Sequence, residues 1–306
     1  MKTVNFDSAK AWIYRNARPI DFARWQFHFE NGNKENILNI LSSYQNSDSG
    51  FGHALEADAW NPNSSPIQTW AAIELLREIE IEDKSHPLII DILRYLNSGR
   101  DFSDGKWLNT IKTNDNFPHA FWWDWNPESN YNPTANFCGF ILKYADKNSA
   151  LYSKGKEIAK DAITSFMDTI DAGGHLILCY LRLMQALTEM EIEGLYDLEA
   201  FQHHLSKHIK HFLEHMELDW CCDGVAYEFI KSHKDNLHLL NSKIDIVNAI
   251  YKNLADTQQP DGSFPIPWQW NEYPEEWAVS KNWWKAYGII NNMLFLKEFG
   301  FIVNFI

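Results

Sequence analysis

Two carboxylates close together in the sequence are the first residues that suggest acid–base chemistry. Glu56 and Asp58 lie in the segment His53-Ala-Leu-Glu-Ala-Asp. In an extended segment, residues two positions apart point to the same side, so the two carboxyl groups would lie together and one of them would retain a proton. A protonated carboxyl group can act as a general acid. The alternative interpretation is that both side chains only cap neighbouring turns.

A histidine and an acid form the second candidate. His119 and Asp124 occur among Trp122, Trp123 and Trp125. An imidazole and a carboxylate surrounded by indole rings experience an apolar environment, which is typical of catalytic groups but is also found in structural ion pairs. The candidate catalytic residues are therefore Glu56, Asp58, His119 and Asp124.

Long loops carry most of the tryptophans. The loops are expected at roughly 46–64, 98–131, 219–242 and 257–281. A wall of indole rings with few charges suits an isoprenoid chain, a carbocation held by cation–π contact, or a stacked sugar ring. The alternative is that these rings only fasten the loops to the core. The candidate substrate-binding residues are His53, Trp60, Trp122, Trp123, Trp125, Tyr227, Glu228, Trp268, Trp270, Glu276 and Trp277.

Four histidines recur along one predicted helix, but their position argues against a specific metal site. His204, His208, His211 and His215 follow i, i+4, i+7, i+11 spacing, one position behind the apolar stripe of the same helix. We expect this flank to face water, where it would hold a divalent metal only adventitiously. The chain has no phosphate loop, no GxGxxG and no GxSxG motif. The sequence therefore predicts neither a metal nor a cofactor.

Composition narrows the class of partner. The formal net charge is −14, which argues against a nucleic-acid backbone or an anionic membrane surface as the main partner. The amino terminus lacks the apolar run of a signal peptide, and no stretch approaches the length of a membrane span. The four cysteines show no CxxC spacing, so we expect free buried thiols. These features predict a cytoplasmic protein with a small-molecule substrate, and they leave its oligomeric state open.

Hydrophobic periodicity predicts helices of two kinds. Several stretches have one apolar face, and the clearest runs through Phe201, Leu205, Ile209, Phe212 and Met216. Between them lie stretches that are apolar nearly all round, at 66–79, 133–145, 175–190 and 283–299. A helix that is apolar on every face is buried on every face. This alternation suits an outer ring of helices that shields an inner ring.

Two of the inner helices have well-marked starts. Ser65-Pro66 and Asn132-Pro133 each place a capping side chain before a proline at the first helical position. The sequence therefore predicts an all-α fold of the α/α-toroid kind, as a single domain over residues 1–306. In that fold two concentric rings of helices, complete or incomplete as a barrel, surround a central cavity.

A short motif recurs at the ends of helices. Residues 258–264 read Gln-x3-Gly-x-Phe, and residues 45–51 and 101–107 are degenerate copies. A glycine supplies a positive-φ turn, and the following aromatic side chain packs back on the helix that has just ended. A weaker trace occurs at 220–224.

With these repeats the chain resembles the superfamily of terpene cyclases and protein prenyltransferases, whose members carry Gln-x3-Gly-x-Trp repeats on an α/α toroid. It looks most similar to small bacterial members with a PHA-x-WW…NPTA segment, matched here by residues 118–123 and 132–135. Those members also carry a PIPWxW…EW segment, matched by residues 265–270 and by 276–277. The resemblance implies a toroid with an aromatic cavity and an isoprenoid substrate.

The chain departs from that superfamily in its acidic motifs. It has neither the Asp-x-Asp-Asp acid motif nor the Asp-Asp-x-x-Asp magnesium motif. Asp219 and Cys221 match the Asp-x-Cys zinc motif of prenyltransferases, with His233 or His238 as the later histidine, but three matching letters do not establish a site. These departures argue against conventional cyclisation.

Three functions therefore stay open. The first is an enzyme of the terpenoid-cyclase or prenyltransferase kind that uses Glu56 or Asp58 as acid and tryptophans to stabilise positive charge. The second is a carbohydrate-active enzyme, because helical toroids also serve glycosidases and lyases and because paired carboxylates do acid–base work there. The third is a protein that binds a ligand in the same cavity without catalysis.

Overall fold

The computed structural model describes residues 2–218, 224–232 and 243–302, with side chains from 246 onward in the last range. These residues form twelve α-helices, two short 3-10 helices and a two-stranded antiparallel sheet. The all-α class predicted from the sequence is thereby confirmed. Within the described residues, no helix is long and apolar enough to cross a bilayer.

The chain divides into two compact units. Unit 1 combines Met1–Leu41 with Phe212–Ile306, and unit 2 is Ser42–His211. The single domain expected from the sequence stays a prediction. The helices of unit 1 are α1 (Phe6–Asn16), α2 (Pro19–Phe29), α3 (Lys34–Ser42, ending at the border), α10 (Val225–Ser232), α11 (Lys243–Thr257) and α12 (Pro274–Glu298).

Helix α12 organises the described part of unit 1. It packs against α1 and α2, which also contact each other. Its buried residues include Ala286, Ile289, Ile290 and Met293, each fully excluded from solvent. The amino- and carboxyl-terminal segments of the chain are therefore held together by one apolar core.

Unit 2 is built around one central helix. Its helices are α4 (Pro66–Glu78), α5 (Pro87–Asn97), α6 (Thr134–Tyr144), α7 (Ala150–Met167), α8 (Gly174–Glu189) and α9 (Leu198–His215, extending past the border). Helix α6 packs against α4, α5, α7 and α8. At Gly139 a Cβ atom would lie 3.0 Å from the carbonyl oxygen of Arg182, so the missing side chain lets α6 and α8 approach closely.

The two predicted kinds of helix are present in unit 2. In α6 every residue except Lys143 is buried, and α8 is buried from Ile177 to Met184 without interruption. Helices α5 and α7 instead bury one face, which in α5 consists of Leu88, Ile89, Ile92, Tyr95 and Leu96. The periodicity argument therefore identified correctly that α6 and α8 are enclosed and that α5 and α7 bury one face.

Several expected boundaries are wrong. Helix α12 begins at Pro274, not near 283, so Glu276 and Trp277 lie in its first turn and not in a loop. Residues Val225–Ser232 form α10 inside the predicted loop 219–242. Long apolar runs marked the helix centres, but the polar first turns and the short helix carried too weak a periodic signal.

One of the two predicted helix starts is confirmed. The hydroxyl of Ser65 accepts a hydrogen bond from the backbone N–H of Gln68, and Pro66 follows it in the first turn. Asn132 does not cap α6, because the cap position is Pro133, whose preceding peptide bond is cis. The side chain of Asn132 instead accepts a 3.4 Å contact from the thiol of Cys179.

The apolar stripe of α9 also differs from the expectation near its end. Phe201, Leu205 and Ile209 are buried as expected, but Leu213 is buried in place of Phe212 and Met216. A helix turns 100° per residue, so the side chain of Leu213, four residues after Ile209, points closer to the direction of Ile209 than that of Phe212, three residues after it. Leu213 therefore stays nearer the buried face.

The repeat motif forms a definite turn at 258–264. Gly262 has a φ of +94°. The side-chain amide of Gln258 donates to the carbonyl oxygen of Gly262 at 3.2 Å, and Asp261 Oδ1 accepts from the backbone N–H of Ser263 at 2.9 Å. Phe264 follows the turn and is buried. The motif therefore forms the turn that follows α11 and places an aromatic side chain in the core.

The degenerate copy at 45–51 makes the same turn. The amide of Gln45 donates to the carbonyl oxygen of Ser49 at 3.3 Å, and Asp48 Oδ1 accepts from the N–H of Gly50 at 3.1 Å. Phe51 is buried. The positive φ, +72°, belongs to Ser49 and not to Gly50, which corrects the expected role of that glycine. The faint sequence repeat is therefore a repeat of local structure.

The copy at 101–107 is a different structure. Strands β1 (Phe102–Ser103) and β2 (Lys106–Trp107) form a hairpin, and Asp104 and Gly105 both have positive φ in its two-residue turn. This conformation is typical of Asp-Gly hairpins. This segment therefore shares with residues 258–264 only a glycine in a turn and a buried aromatic residue two positions later, here Trp107.

Candidate functional site

The segment that carries the candidate acids is a tight turn and not an extended strand. His53 and Ala54 both have a φ of +59°, in the left-handed region. Two successive non-glycine residues in that region are strained and persist only where their surroundings fix them. The expectation that Glu56 and Asp58 point to one side because the segment is extended is therefore wrong. Both residues are nevertheless buried, 8% and 2% exposed.

The side chain of Gln68, on the first turns of α4, fixes this turn. Its Oε1 accepts a 2.7 Å hydrogen bond from the backbone N–H of Glu56. Its Nε2 donates a 2.7 Å bond to the carbonyl oxygen of Ala59. Because Gln68 is completely buried, both bonds are shielded from water, and the position of the Glu56 backbone is tied to a helix.

The carboxylate of Glu56 accepts hydrogen bonds at both oxygens. The indole Nε1 of Trp123 donates to Oε1 at 3.1 Å, and the backbone N–H of Asp58 donates to Oε2 at 3.2 Å. Each carboxylate oxygen therefore has a donor, and the Glu56 side chain is held in one orientation. The general-acid role expected for Glu56 stays a prediction.

A second segment, 117–124, pairs with the turn. The backbone N–H of Trp60 donates to the carbonyl oxygen of Pro118, and that of Ala120 donates to the carbonyl oxygen of Asp58, both at 2.9 Å. Ala59 and His119 are thereby held opposite each other in an isolated β-bridge. This pairing brings together the two candidate pairs that lie some sixty residues apart in the sequence.

His119 and Asp124 are hydrogen-bonded to each other. Nε2 of His119 lies 2.9 Å from Oδ1 of Asp124, and Nδ1 lies 2.6 Å from the carbonyl oxygen of Phe117. Both ring nitrogens therefore lie within hydrogen-bond distance of an oxygen atom. The His119 side chain is 7% exposed, whereas that of Asp124 is 69% exposed. The buried imidazole therefore orients an acid that solvent or a ligand can reach.

The aromatic segment between His119 and Asp124 is held by two polar side chains that precede it in the sequence. Phe121–Trp123 forms a 3-10 turn, and the amide of Asn114 donates to the carbonyl oxygen of Trp123 at 3.0 Å. The carboxylate of Asp115 accepts from the backbone N–H of Trp125 at 2.9 Å. Phe121 is 55% exposed, and its ring contacts that of Trp122 edge to face, with centroids 5.0 Å apart.

Two further predicted binding residues, His53 and Trp60, belong to the loop that carries Glu56. His53 forms a 2.9 Å hydrogen bond with Asn46 in the turn at 45–51. Trp60 is half-buried, and its backbone N–H makes the bond to Pro118.

The aromatic residues predicted near the carboxyl terminus lie in unit 1. Trp270 is 5% exposed and packs on Trp277, with ring centroids 5.7 Å apart. Trp268 contacts Trp284 edge to face at 5.1 Å. A buried ring such as Trp270 matches the alternative interpretation, in which tryptophans fasten a loop to the core.

Tyr227, Glu228 and Glu276 also belong to unit 1. Tyr227 and Glu228 lie in α10, where Tyr227 is buried and the ammonium group of Lys231 lies 5.8 Å from its ring. Glu276 lies in the first turn of α12, where a carboxylate favours the positive end of the helix dipole. This helix-end position gives Glu276 a structural explanation.

Sequence reasoning missed a polar cluster on three enclosed helices of unit 2. Glu74 of α4 accepts hydrogen bonds from Arg182 of α8 at 2.8 and 3.0 Å and from the amide of Asn136 of α6 at 2.7 Å. Burial raises the pKa of Glu74, but the charges of Arg182 and Arg77 and these hydrogen bonds outweigh it, so the pKa lies below its usual value. The available signal was a single arginine within the apolar run of α8.

The metal motif considered in the sequence lies outside the described residues. This applies to Asp219, Trp220, Cys221, His233 and His238. Within the part of the chain that the structure describes, no three His, Cys, Asp or Glu side chains form a group that could hold a metal ion. Cys138 and Cys179 are buried free thiols, as expected, and burial raises the pKa of each.

A comparison with known proteins finds no matching family model, no similar curated protein and no similar solved structure. The function therefore rests on the geometry of unit 2. The structure brings Glu56, Trp123, His119 and Asp124 into one connected group: Trp123 bonds Glu56, and its neighbour Asp124 bonds His119.

Proposed function

We propose that the protein is an enzyme of the terpenoid-cyclase or prenyltransferase kind, acting on an apolar, isoprenoid-like substrate through a positively charged transition state. The observation that supports this most is the Glu56 carboxylate, buried and bonded by the Trp123 indole N–H. A buried anion beside indole rings stabilises a cation electrostatically far better than water does. The resemblance to the terpene cyclase superfamily points to the same chemistry.

The residues take distinct roles in this proposal. Glu56 supplies fixed negative charge, and Trp122, Trp123 and Trp125 supply aromatic faces for the cation. Asp124, exposed and oriented by His119, donates a proton to the substrate to form the cation and takes a proton back from the cation when the reaction ends, so that the carboxyl group is regenerated. Asp58 donates its backbone N–H to Glu56 and accepts at its carbonyl oxygen from Ala120, so its role is to position the Glu56 carboxylate.

The α/α toroid is part of the same proposal. Its support is the alternation, inside unit 2, of enclosed helices (α4, α6, α8) with helices that bury one face (α5, α7). The recurrence of one turn at 45–51 and 258–264 also supports it, because repeats of local structure are typical of folds built from helix pairs.

A carbohydrate substrate is the second candidate, and one observation favours it. Phe121 and Trp122 lie three and two positions before Asp124, whose carboxylate is exposed, and the ring of Phe121 is itself exposed. Sugar rings stack on such surfaces, and glycoside hydrolysis also passes through a cationic transition state beside carboxylates. The third candidate is a protein that binds a ligand without catalysis, and the same residues would contact that ligand.

The experiment compares two ligands of equal size and different charge. An isoprenoid amine, cationic at neutral pH, and the isoprenoid alcohol of the same chain length are titrated into the protein by calorimetry. We expect the amine to bind at least about tenfold more tightly, since a charged hydrogen-bonded pair in a buried site contributes about 1.5–3 kcal/mol. The Glu56→Gln variant should lose this preference while still binding the alcohol.

The control is a variant of a second carboxylate that also accepts a hydrogen bond from an indole N–H. Glu30 in unit 1 also accepts an indole N–H bond, from Trp25 at 2.9 Å, so Glu30→Gln tests whether any such pair produces the preference. Equal affinity of wild-type protein for amine and alcohol, or an unchanged preference in Glu56→Gln, would overturn the proposal. Binding of oligosaccharides in place of both isoprenoids would favour the second candidate.

A further inference from the structure

Two histidines of α9 are in a different environment from the one their spacing predicts. His208 is 8% exposed and His204 is half-buried, so they do not lie on a water-facing flank as expected. Both rings pack against the ring of Phe166 in α7, with centroids 5.2 Å (His204) and 4.9 Å (His208) from it. His211 and His215, further along α9, are exposed.

The Nε2 atoms of the two buried rings converge on the carboxyl-terminal end of α7. Nε2 of His204 lies 3.0 Å from the carbonyl oxygen of Phe166, and Nε2 of His208 lies 3.2 Å from that of Thr169. The two Nε2 atoms are 3.2 Å apart. Two nitrogens and two oxygens therefore form a continuous chain of close contacts.

Neutral imidazoles cannot satisfy all three of these contacts. If both Nε2 atoms carry protons, each bonds its carbonyl oxygen, but two donors face each other across 3.2 Å. If only one carries a proton, the lone pair of the other faces a carbonyl oxygen. Every arrangement leaves one repulsive contact, which a cation held by the two nitrogens would remove. The carbonyl oxygen of Phe166 also accepts a 2.9 Å hydrogen bond from the backbone N–H of Thr169, so it is a weaker ligand than the two imidazoles.

The three successive separations in this chain are compatible with ligands of one metal ion. With metal–ligand bonds of about 2.1 Å, adjacent ligands are about 3.0 Å apart in octahedral and about 3.4 Å apart in tetrahedral geometry. The observed separations of 3.0, 3.2 and 3.2 Å fall within this range. Histidines at i and i+4 on a helix present both nitrogens to one ion, and imidazole suits zinc, copper and nickel.

We propose that His204 and His208 bind one divalent transition-metal ion, with the carbonyl oxygens of Phe166 and Thr169 as further ligands and water completing the coordination. The ion ties α9 to the end of α7, both within unit 2 at these positions.

The test uses the untagged full chain, freed of metal by a chelator and titrated with Zn²⁺ in competition with a chromogenic chelator. We expect one equivalent of Zn²⁺ per chain to be lost or weakened at least about tenfold in His204→Gln and in His208→Gln, since even outer-shell changes cost metal sites 10–100-fold. His203→Gln and His211→Gln, exposed positions on the same helix, serve as matched controls and should bind as wild type does.

A second measurement does not depend on the variants folding. X-ray absorption of the wild-type protein with one equivalent of Zn²⁺ should show two imidazole ligands and oxygen neighbours. No Zn²⁺ binding by wild type, sulfur ligands, fewer than two imidazoles, or equal weakening in His211→Gln would each overturn the proposal. Circular dichroism of each variant establishes that a loss of binding is not a loss of fold.

Discussion

The indole N–H of Trp123 donates a 3.1 Å hydrogen bond to Oε1 of Glu56, across 67 positions of the sequence. Because Asp124 follows Trp123 directly and bonds His119, this one contact links the two candidate acid groups into a single site. The backbone pairing of Trp60 with Pro118 and of Ala120 with Asp58 holds both segments in register. The site is therefore a property of two loops clamped together, and not of any one helix.

The Trp123→Phe variant removes the indole N–H and keeps an aromatic ring. We expect it to lower the free energy of unfolding by about 1–3 kcal/mol, because the buried Glu56 oxygen loses its donor. Urea denaturation followed by circular dichroism measures the change. Trp122→Phe is the control, and if it destabilises the protein as much as Trp123→Phe does, the hydrogen bond is not the cause.

Glu74→Gln tests the buried ion pair on the enclosed helices. Removing one partner leaves Arg182 buried without its counter-ion, so we expect a loss of about 3–5 kcal/mol in unfolding free energy at pH 7. Glu189→Gln, which breaks the more exposed pair with Lys143, should cost no more than about 1 kcal/mol. Similar losses in the two variants would contradict this account.

The same residue predicts how stability changes with pH. The pKa of Glu74 is lower in the folded protein than in the unfolded chain, so its contribution is fully present above the unfolded value of about 4.3. It is lost as the pH falls through the lower folded value. Thermal unfolding at pH 7 and at steps below pH 4.5 should therefore show a steeper acid loss in wild type than in Glu74→Gln; parallel curves would exclude Glu74 as a contributor.

Gly262→Ala tests the repeat turn. A Cβ atom there would lie 2.1 Å from the carbonyl oxygen of Ser8, and the φ of +94° is unfavourable for alanine. We expect a loss of at least about 2 kcal/mol in stability, measured by urea denaturation. Gly173→Ala, where an added Cβ meets nothing within 4 Å and the φ is −68°, should cost no more than about 1 kcal/mol, because alanine is only a poorer N-cap residue for α8. A tolerated Gly262→Ala would mean that the turn is less tightly packed than described.

The thiols Cys138 and Cys179 should be unreactive in the folded protein. Both are buried, and burial raises their pKa, so neither the thiolate nor access is available at pH 8. Alkylation followed by mass spectrometry at each position should show modification only after denaturation. Rapid labelling of either cysteine under native conditions would show that α6 or α8 opens readily.

Local periodicity was sufficient for the parts of the fold that depend on it. The enclosed character of α6 and α8 followed from apolar residues on every face, and the start of α4 followed from Ser65 and Pro66. The repeat at 258–264 was also readable, because its glycine and buried phenylalanine have fixed places in the turn.

Pairings between distant segments were not readable in the same way. The sequence placed Glu56 and Asp58 in an extended segment, since nothing local indicates two successive left-handed residues at His53 and Ala54. It placed His208 in water because His208 lies at the edge of the apolar stripe of α9. Whether such an edge position is exposed depends on the neighbouring helix, and here the ring of Phe166 in α7 packs against His208. Such contacts depend on tertiary packing, which no single helix encodes.

Product formation is the measurement that tests the central claim most directly. Wild-type protein is incubated with a panel of isoprenoid substrates and, separately, of oligosaccharides, and products are identified by mass spectrometry. We predict turnover of an isoprenoid, a fall in kcat of about 10²–10⁴-fold in Asp124→Asn, a comparable fall in Glu56→Gln, and an unchanged rate in Glu30→Gln. Full activity after neutralisation of both Glu56 and Asp124, or no turnover of any isoprenoid by the wild-type protein, would contradict the account.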